Sequence, residues 1–344
     1  MNSRIKYLVL IALYAFVSCV KDKPKVDTEV PSSQPTAHKV WVCNEGNYGA
    51  ANASLSYFNS TDNTVIEDYY KLQNNATIGD VLQSMFFFNG KYYLVVNNSN
   101  KILVCDSNMK KLNQINGFTS PRYFIPVNNA KAYVSDLYAN KIFVLNLNTN
   151  SIQASIPCVG WTEQMQFYNG NLFVTNIKSN YVYVINTSTD VKTDSIAVGP
   201  NAASLLLDKD NFLWVLSSGD KSSSKLPQLL KIQTQSNQLV MQLTFAANEE
   251  PSHLCINKTK DTLFYLNKGV YKMPIQNSTL PSSALIEQGQ RNYYGLAVSP
   301  YDNTIYLSDG LDYIQKSNCY VYSFNGQPLN LFKAGINANG FYFE

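Results

Sequence analysis

The sequence predicts an all-β fold, a seven-bladed β-propeller that is closed by strands from both ends of the chain. The first observation behind this prediction is an internal repeat with a step of about 40 residues. The segment 132–136, AYVSD, returns at 172–176 as LFVTN, and 140–146, NKIFVLN, returns at 180–186 as NYVYVIN. A repeat of about this length, built from four short strands of alternating polarity, is typical of a propeller blade.

The second observation is the C-terminal segment 335–343, which reads GINANGFYF. It resembles the leading strand of a blade, and the first unit of the chain has no such strand. A ring in which both chain ends share one blade leaves no open edge. The third observation is the number of units between the two ends, which predicts seven blades, whereas six or eight would require one unit to be misread.

The first four units follow one another from the N-terminal side. Unit one lacks a leading strand, and its other strands are predicted at 38–44, 54–58 and 65–70. Unit two begins near Val81 and has strands at 92–97 and 101–104. Units three and four are the pair of clean repeats between 121 and 199.

The last three units depart further from the repeat. Unit five begins at Ala202, and unit six begins at His253 and has a degenerate third strand. Long loops are predicted at 217–227 in unit five and at 310–318 in unit seven. The strands that identify the three units run over 212–216, 262–267, 304–309 and 320–324.

The composition fits this architecture. A chain of 344 residues often has two domains, but propellers of this length form a single domain. Hydrophobic residues make up 45% of the chain, enough for a continuous core between sheets, and the 24 tyrosines favour packing between blades. The net charge of +3 comes from scattered Lys and Arg, so nucleic-acid binding has no electrostatic support.

Residues 1–18 are predicted to be a signal peptide, because basic residues precede an apolar run at 7–17 that is too short to span a bilayer. The FVSC at 16–19 resembles a bacterial lipobox, although its first two residues depart from the usual Leu and small residue. The resemblance implies cleavage before Cys19 and lipidation of its thiol. An ordinary signal peptide followed by a chance cysteine is the alternative.

Residues 19–36 are rich in Lys, Asp, Pro, Ser and Gln and are predicted to be a flexible tether, and residues 37–344 form the propeller. Several acyl chains hold a protein firmly at a membrane. The lipobox resemblance therefore implies a protein that is lipid-anchored to the outer membrane, and its likeness to bacterial lipoproteins implies exposure at the cell surface.

Two classes of loop meet at one end of a propeller channel: those that lead into the innermost strands and those that leave the second strands. Here both classes are rich in amides and aromatic residues. Amides donate and accept hydrogen bonds, and Tyr and Trp give broad rigid contact, so these loops favour a large polar ligand. The predicted contact residues are Arg122, Tyr123, Tyr138, Trp161, Asn176, Tyr293 and Tyr294, followed by Asn44, Tyr48, Asp136 and Tyr313.

Each of these residues also has a structural alternative. Asn and Asp after a strand often form turns by bonding their own backbone. Arg122 can pair with Glu163 or Glu250, and Trp161 can pack between blades. The hypothesis of a binding surface therefore rests on the convergence of the loops and not on any one residue.

The sequence gives little support for catalysis or a metal site. Two histidines do not suffice for a recognisable Ser-His-Asp set, there is no glycine-rich phosphate motif, and Asp309 and Asp312 lie in a turn-rich loop. The divalent-metal carboxylate cluster of lactonase-type propellers is not recognisable either. We therefore expect no enzyme activity, no cofactor and no metal. The cysteines without close partners, which favour buried free thiols, are Cys43, Cys105, Cys158, Cys255 and Cys319.

One stretch resembles a known family. The loop at 44–49, NEGNYG, and the strand at 54–58, SLSYF, resemble the first blade of Bacteroides-type surface lipoprotein propellers, which carry N-E-G-N-[FY]-G and S-L-S-Y-[FY]. The YVSD at 133–136 resembles the wider surface-layer repeat of the YVTN type. The resemblance covers nearly all of the mature chain and implies the propeller fold, while the glycines of the loop also suit a tight turn.

This family includes surface lipoproteins that capture cobalamin for TonB-dependent corrinoid uptake. The resemblance implies that the chain binds vitamin B12 or a related corrinoid and delivers it to a TonB-dependent outer-membrane transporter. A corrinoid is broad and amphipathic, and its peripheral amides match Asn and Gln side chains. The alternative is a propeller interaction module that docks a glycan, a haem carrier or a partner protein without binding a corrinoid.

Overall fold

The computed structural model describes residues 39–344 as seven antiparallel sheets of four strands each. The predicted signal peptide, the lipidation site at Cys19 and the tether therefore lie outside the described residues. The strands of the first three blades are β1 Lys39–Asn44, β2 Ser54–Asn59 and β3 Val65–Ile66; β4 Leu82–Phe88, β5 Lys91–Val96, β6 Lys101–Cys105 and β7 Lys111–Asn116; and β8 Pro121–Asn128, β9 Lys131–Asp136, β10 Lys141–Asn146 and β11 Ser151–Pro157.

Blades four to seven repeat the same arrangement along the chain. Their strands are β12 Thr162–Tyr168, β13 Asn171–Asn176, β14 Tyr181–Asn186 and β15 Val191–Ala197; β16 Ala202–Leu207, β17 Phe212–Ser217, β18 Gln228–Gln233 and β19 Gln238–Thr244; β20 Ser252–Ile256, β21 Thr262–Leu266, β22 Gly269–Pro274 and β23 Ile286–Glu287; and β24 Tyr293–Val298, β25 Ile305–Asp309, β26 Lys316–Tyr322 and β27 Pro328–Ile336. The last strand, β28 Ala338–Phe343, returns to blade one.

The C-terminal strand closes the ring. In blade one, β28 lies beside β1, with Val42 opposite Phe341 and Val40 opposite Phe343. Each innermost strand contacts the innermost strand of the next blade, and β28 contacts both β24 and β4. The predictions of an all-β fold, seven blades and a blade shared by both chain ends are therefore confirmed.

The core lies between neighbouring blades, because both faces of each sheet are covered. The second and third strands consequently read as runs of buried residues, such as KYYLVV in β5 and KIFVLN in β10. Aromatic rings fill the wedge between adjacent blades: Phe58 stacks on Phe332 with centroids 4.1 Å apart, and Tyr93 stacks on Phe124 at 4.2 Å. Within residues 39–344 all five cysteines are free thiols, and four of them are buried.

The strand predicted at 65–70 is only partly right. Val65–Ile66 pairs with β2, but Tyr69–Asn74 forms a short helix, α1. Asp68 caps that helix by accepting a hydrogen bond from the Lys71 amide at 3.2 Å. Tyr70 is buried in the core between blades one and two, so this helix fills space between the two sheets. No helix in the described part of the chain has the length and apolar character needed to cross a membrane.

Two further boundaries differ from the sequence prediction. In blade six the third strand is regular, and the short strand is the fourth, Ile286–Glu287. At the C-terminus, Gly335 and Ile336 still belong to β27, so the closing strand begins at Ala338. Asn337, with a φ of 54°, makes the turn between these two strands.

The contact at Phe341 provides a test of ring closure. Phe341 is 6% exposed and packs with Val40 and Val42 of the partner strand. Replacing Phe341 with Ala should lower the free energy of unfolding by about 3–5 kcal/mol, because it removes a buried ring and leaves a cavity. Urea denaturation measures this change.

The control is Leu329→Ala in the adjacent strand β27, where the side chain is 60% exposed. This variant should stay within about 0.5 kcal/mol of the wild type. Equal effects of the two substitutions would contradict a specific role of Phe341 in closing the ring.

Candidate functional site

A β-bulge near the start of every innermost strand builds the candidate site. In blade three, for example, Pro121 pairs with Asp136 and Phe124 pairs with Val134, so the inner strand has one extra residue. The same shift occurs at the start of the innermost strand in all seven blades. A bulge redirects side chains out of the regular alternation. The residues at the second position of the seven strands are Gln83, Arg122, Glu163, Ala203, His253, Tyr294 and Asn339.

These seven residues, together with Glu45, line a cavity of about 490 Å³ at the end of the channel where the innermost strands begin. We call this cavity the mouth. Six of the seven bulge positions carry a polar or tyrosine side chain, whereas Ala203 leaves a gap at blade five. Ser204 and Ser218 continue the lining beside that gap, so the mouth extends towards blade five.

An ion pair occupies one side of the mouth. Arg122 Nε donates to Oε1 and Oε2 of Glu163 at 3.1 and 3.0 Å, and Arg122 Nη1 donates to Gln83 Oε1. Pairing with Glu163 was one of the two alternatives considered for Arg122, and the other, Glu250, pairs instead with Lys221. Burial raises the pKa of the Glu163 carboxyl, and the guanidinium of Arg122 opposes that rise.

A network of hydrogen-bonded side chains lines the other side of the mouth. Glu45 Oε2 accepts from the Tyr294 hydroxyl at 2.5 Å, and Glu45 Oε1 accepts from Asn339 Nδ2 at 2.7 Å. The Asn339 amide oxygen then faces His253 Nε2 at 3.4 Å, and His253 Nδ1 lies 3.1 Å from Ser252 Oγ. Because Asn339 offers its oxygen to the ring, the proton of a neutral imidazole belongs on Nε2 and Ser252 donates to Nδ1.

Burial shifts the pKa values of two residues in this network, Glu45 and His253. It raises the pKa of Glu45, and the Tyr294 hydroxyl, the charge of Arg122 and the Asn339 amide limit the rise. Burial also lowers the pKa of His253, so the neutral imidazole is favoured. The proton affinities of Glu45 and His253 are therefore governed mainly by the loss of water around these groups.

The loop 44–49 holds Glu45 in place. The backbone amides of Glu45 and Gly46 donate to the carbonyls of Asn337 and Ile336, both at 3.0 Å. The Gly49 amide donates to Asp80 at 2.8 Å. Gly46 has a φ of 74°, a conformation that favours glycine, and a Cβ there would lie 2.4 Å from the Asn52 side chain. The NEGNYG motif thus has a conformational role that aims one carboxylate into the mouth.

Tyr123, Gln164 and Tyr342 form the floor of the mouth. The same three residues line a second cavity of about 230 Å³, which also contacts Met85 and Phe86. They therefore lie between the two cavities. Burial raises the pKa of Tyr123 to about 12, so its hydroxyl stays protonated near neutral pH and is available as a donor.

Eight of the eleven predicted contact residues fall into two groups. Arg122, Tyr123, Tyr293 and Tyr294 line the mouth itself. The others lie on loops at the same end of the molecule, and three of them, Tyr138, Trp161 and Tyr313, take part in aromatic pairs. Tyr138 packs edge-on against Trp161 at 5.3 Å, and Tyr313 packs against Tyr294 at 5.7 Å. Tyr138 is 53% exposed, Tyr48 and Tyr313 are exposed, and Trp161 is half-buried beneath Lys178, whose Nζ lies 4.3 Å from the ring centroid.

Three other predicted residues, Asn44, Asp136 and Asn176, are fully buried and bond other parts of the protein. Asp136 accepts hydrogen bonds from four backbone amides, at positions 119, 120, 138 and 139. Asn176 accepts from the amides of residues 161 and 178. Asn44 bonds Ser56 and the Gly335 amide. Asp136 and Asn176 thus have the turn-forming role that the sequence offered as their alternative, whereas Asn44 links its strand to β2 and to Gly335.

The polar residues of the mouth were mostly missed as contact residues. Glu45, Gln83, Glu163, His253 and Asn339 line the cavity, yet none was among the predicted contacts. The signal that identifies four of them is position, since each is the second residue of an innermost strand. Among residues 39–344 no group of three or more His, Cys, Asp or Glu side chains is placed to hold a metal ion.

Fold and mouth together define a seven-bladed β-propeller protein with a polar channel entrance. Within that class, the chain belongs to the family described as "Domain of unknown function (DUF5074)", whose model matches residues 39–344. The comparison with curated proteins gave no match.

Solved structures with the same fold have diverse descriptions. A quinonprotein alcohol dehydrogenase-like protein from Bacteroides thetaiotaomicron is 15% identical, with a TM-score of 0.70 over 88% of this chain and 77% of the other. A periplasmic gluconolactonase from Pseudomonas aeruginosa is 11% identical, with a TM-score of 0.67 over 89% and 99%. A functionally unknown protein from Desulfotomaculum acetoxidans is 13% identical, with a TM-score of 0.66 over 89% and 98%. These similarities establish the fold alone.

The raised pKa of Glu45 leads to a prediction about stability and pH. Well below the ordinary glutamate pKa of about 4.3 both the folded and the unfolded chain hold this proton. As the pH rises, the unfolded chain releases it first, so the folded wild type loses stability until the pH passes the raised folded pKa. Glu45→Gln cannot ionise, so its melting temperature relative to the wild type should increase between acid and neutral pH.

Glu250→Gln is the control of opposite sign. The hydrogen bond from Lys221 lowers the pKa of the exposed Glu250. Its carboxylate therefore adds a little stability at pH values above the ordinary glutamate pKa, and this contribution is lost as the pH falls through the lowered folded pKa. Melting curves of both variants and the wild type across the acid-to-neutral range make the comparison. A difference between Glu45→Gln and the wild type that is independent of pH would contradict the proposed effect of burial.

Proposed function

We propose that this protein is a surface lipoprotein that binds cobalamin or a related corrinoid and delivers it, chemically unchanged, to a TonB-dependent outer-membrane transporter. The observation that carries the proposal is the set of seven bulges, which gathers polar side chains in one mouth beneath a group of exposed aromatic residues. Such a surface suits a ligand with a broad apolar body and hydrogen-bonding arms.

The size of the mouth supports a particular mode of binding. A cavity of about 490 Å³ lies in the range typical of small-molecule sites. We propose that it receives one edge of a corrinoid, with peripheral amide arms reaching Gln83 and Asn339. The body of the macrocycle then lies across the surrounding loops, where Tyr138 and Trp161 provide rigid aromatic contact.

The first described residue lies away from the mouth. Lys39 begins β1, whereas the mouth lies at the other end of that strand, next to Asn44 and Glu45. The proposed lipid anchor and tether precede Lys39 in the chain and so would not have to pass through the mouth. The ligand site would remain open to solvent and to a transporter.

Calorimetry with cyanocobalamin tests the binding proposal. We expect heat of binding at micromolar protein, and Tyr138→Ala or Trp161→Ala should weaken the affinity at least about tenfold, as for aromatic hot spots. Tyr301→Ala is the matched control, because Tyr301 is 41% exposed but lies in the turn between β24 and β25 at the opposite end.

The absence of heat with cyanocobalamin at micromolar protein would remove the corrinoid proposal. Saturable binding of a glycan or a haem carrier in that case would establish the alternative, an interaction module. Equal losses in the Tyr301 and Trp161 variants would show that the aromatic loops do not form the contact surface.

The proposal that the protein acts by binding alone has its own test. One structural neighbour is described as a gluconolactonase, but at 11% sequence identity the shared fold does not imply the same activity in this protein. We expect a panel of lactones with added calcium to be hydrolysed no faster than in buffer, measured as acid release. Hydrolysis that is lost in an Arg122→Ala variant would contradict the non-enzymatic proposal and place the chemistry in the mouth.

A further inference from the structure

The mouth has an unbalanced set of charges. Its charged side chains are the carboxylates of Glu45 and Glu163 and the guanidinium of Arg122, which leave a net charge of −1 when all three are ionised. His253 adds no charge in its neutral form, which burial favours. The surplus negative charge matters because the mouth is a recess with limited access to water, where electrostatic interactions are stronger than at an open surface.

Glu45 carries this surplus. Arg122 Nε contacts both carboxylate oxygens of Glu163, so the cation is engaged with that partner at 3.0–3.1 Å. Glu45 has no ion-pair partner among the described residues; its two hydrogen-bond donors are the neutral groups of Tyr294 and Asn339. The backbone hydrogen bonds from Glu45 and Gly46 to Asn337 and Ile336, just before the closing strand, fix the carboxylate in this position.

Glu45 also retains hydrogen-bonding capacity. Each carboxylate oxygen can accept two hydrogen bonds, and one donor is assigned to each oxygen here. A ligand group that donates can therefore bind Glu45 without displacing Tyr294 or Asn339. Gln83, whose oxygen accepts from Arg122, has an amide nitrogen left to donate to a ligand oxygen.

We propose that Glu45 is the specificity-determining residue of the mouth and selects an uncharged primary amide over a carboxylate at the same position of the ligand. A primary amide supplies NH donors for Glu45 and a carbonyl acceptor for Gln83. A carboxylate supplies no donor and places a like charge against Glu45, which is strongly unfavourable in a recessed site. This inference rests on the proposed corrinoid function and identifies the primary amide as the ligand group that Glu45 and Gln83 recognise.

The test compares cyanocobalamin with its monocarboxylic acid derivatives, in which one peripheral amide at a time is converted to a carboxylate. Calorimetry should show that the wild type binds at least one derivative roughly tenfold or more weakly than cyanocobalamin. In Glu45→Gln that penalty should shrink to about twofold or less. The control is Glu250→Gln, which removes the same charge from an exposed ion pair outside the mouth and should retain the full penalty.

The outcomes separate the two proposals. If the wild type binds cyanocobalamin and all acid derivatives equally, the role of Glu45 is overturned while corrinoid binding stands. If both glutamine variants relax the discrimination equally, overall charge is responsible and the role of Glu45 is again overturned. If the wild type binds none of these corrinoids, the proposed function fails and this inference fails with it. Matching melting curves for the wild type and Glu45→Gln at acid pH show that the variant is folded.

Discussion

The pairing of the C-terminal strand Ala338–Phe343 with Lys39–Asn44 is the interaction on which the rest of the molecule depends. It closes the ring, and it also completes the mouth, since Asn339 lies in the first of these strands, Glu45 directly follows the second, and the two side chains bond each other. Residues nearly 300 positions apart in sequence thereby share one site. Ring closure and the geometry of the candidate site are consequences of the same pairing.

Much of the fold follows from the sequence, because local alternation and the repeat near 132 and 172 reflect the burial of both sheet faces. The helix at Tyr69–Asn74 was missed because its apolar residues fit a short strand equally well, and only the Asp68 cap distinguishes the two. The mouth was harder to predict. A bulge shifts side chains out of the period-two pattern, so residues such as Glu163 and His253 have no local signature of their position.

Aromatic and polar residues have different roles at the channel entrance. Hydrogen bonds fix Glu45, Arg122 and Asn339 in a recessed ring with little freedom, whereas Tyr138 and Tyr48 extend from loops into solvent. A rigid polar ring provides discrimination, because misplaced charges or donors cannot be accommodated there by small movements. The exposed aromatic residues tolerate a wider range of ligand shapes. One propeller fold can therefore carry different ligand sites through a change of side chains.

The strand that begins at Lys39 is an interior strand of its blade, with β28 on one side and β2 on the other. Its first residue exchanges backbone hydrogen bonds with Glu344, at 3.0 Å in both directions. Tension applied through the N-terminus and directed along the strand would have to shear two hydrogen-bonded ladders at once, instead of peeling a single edge strand. The blade that closes the ring is thus also suited to carry a mechanical load applied at Lys39.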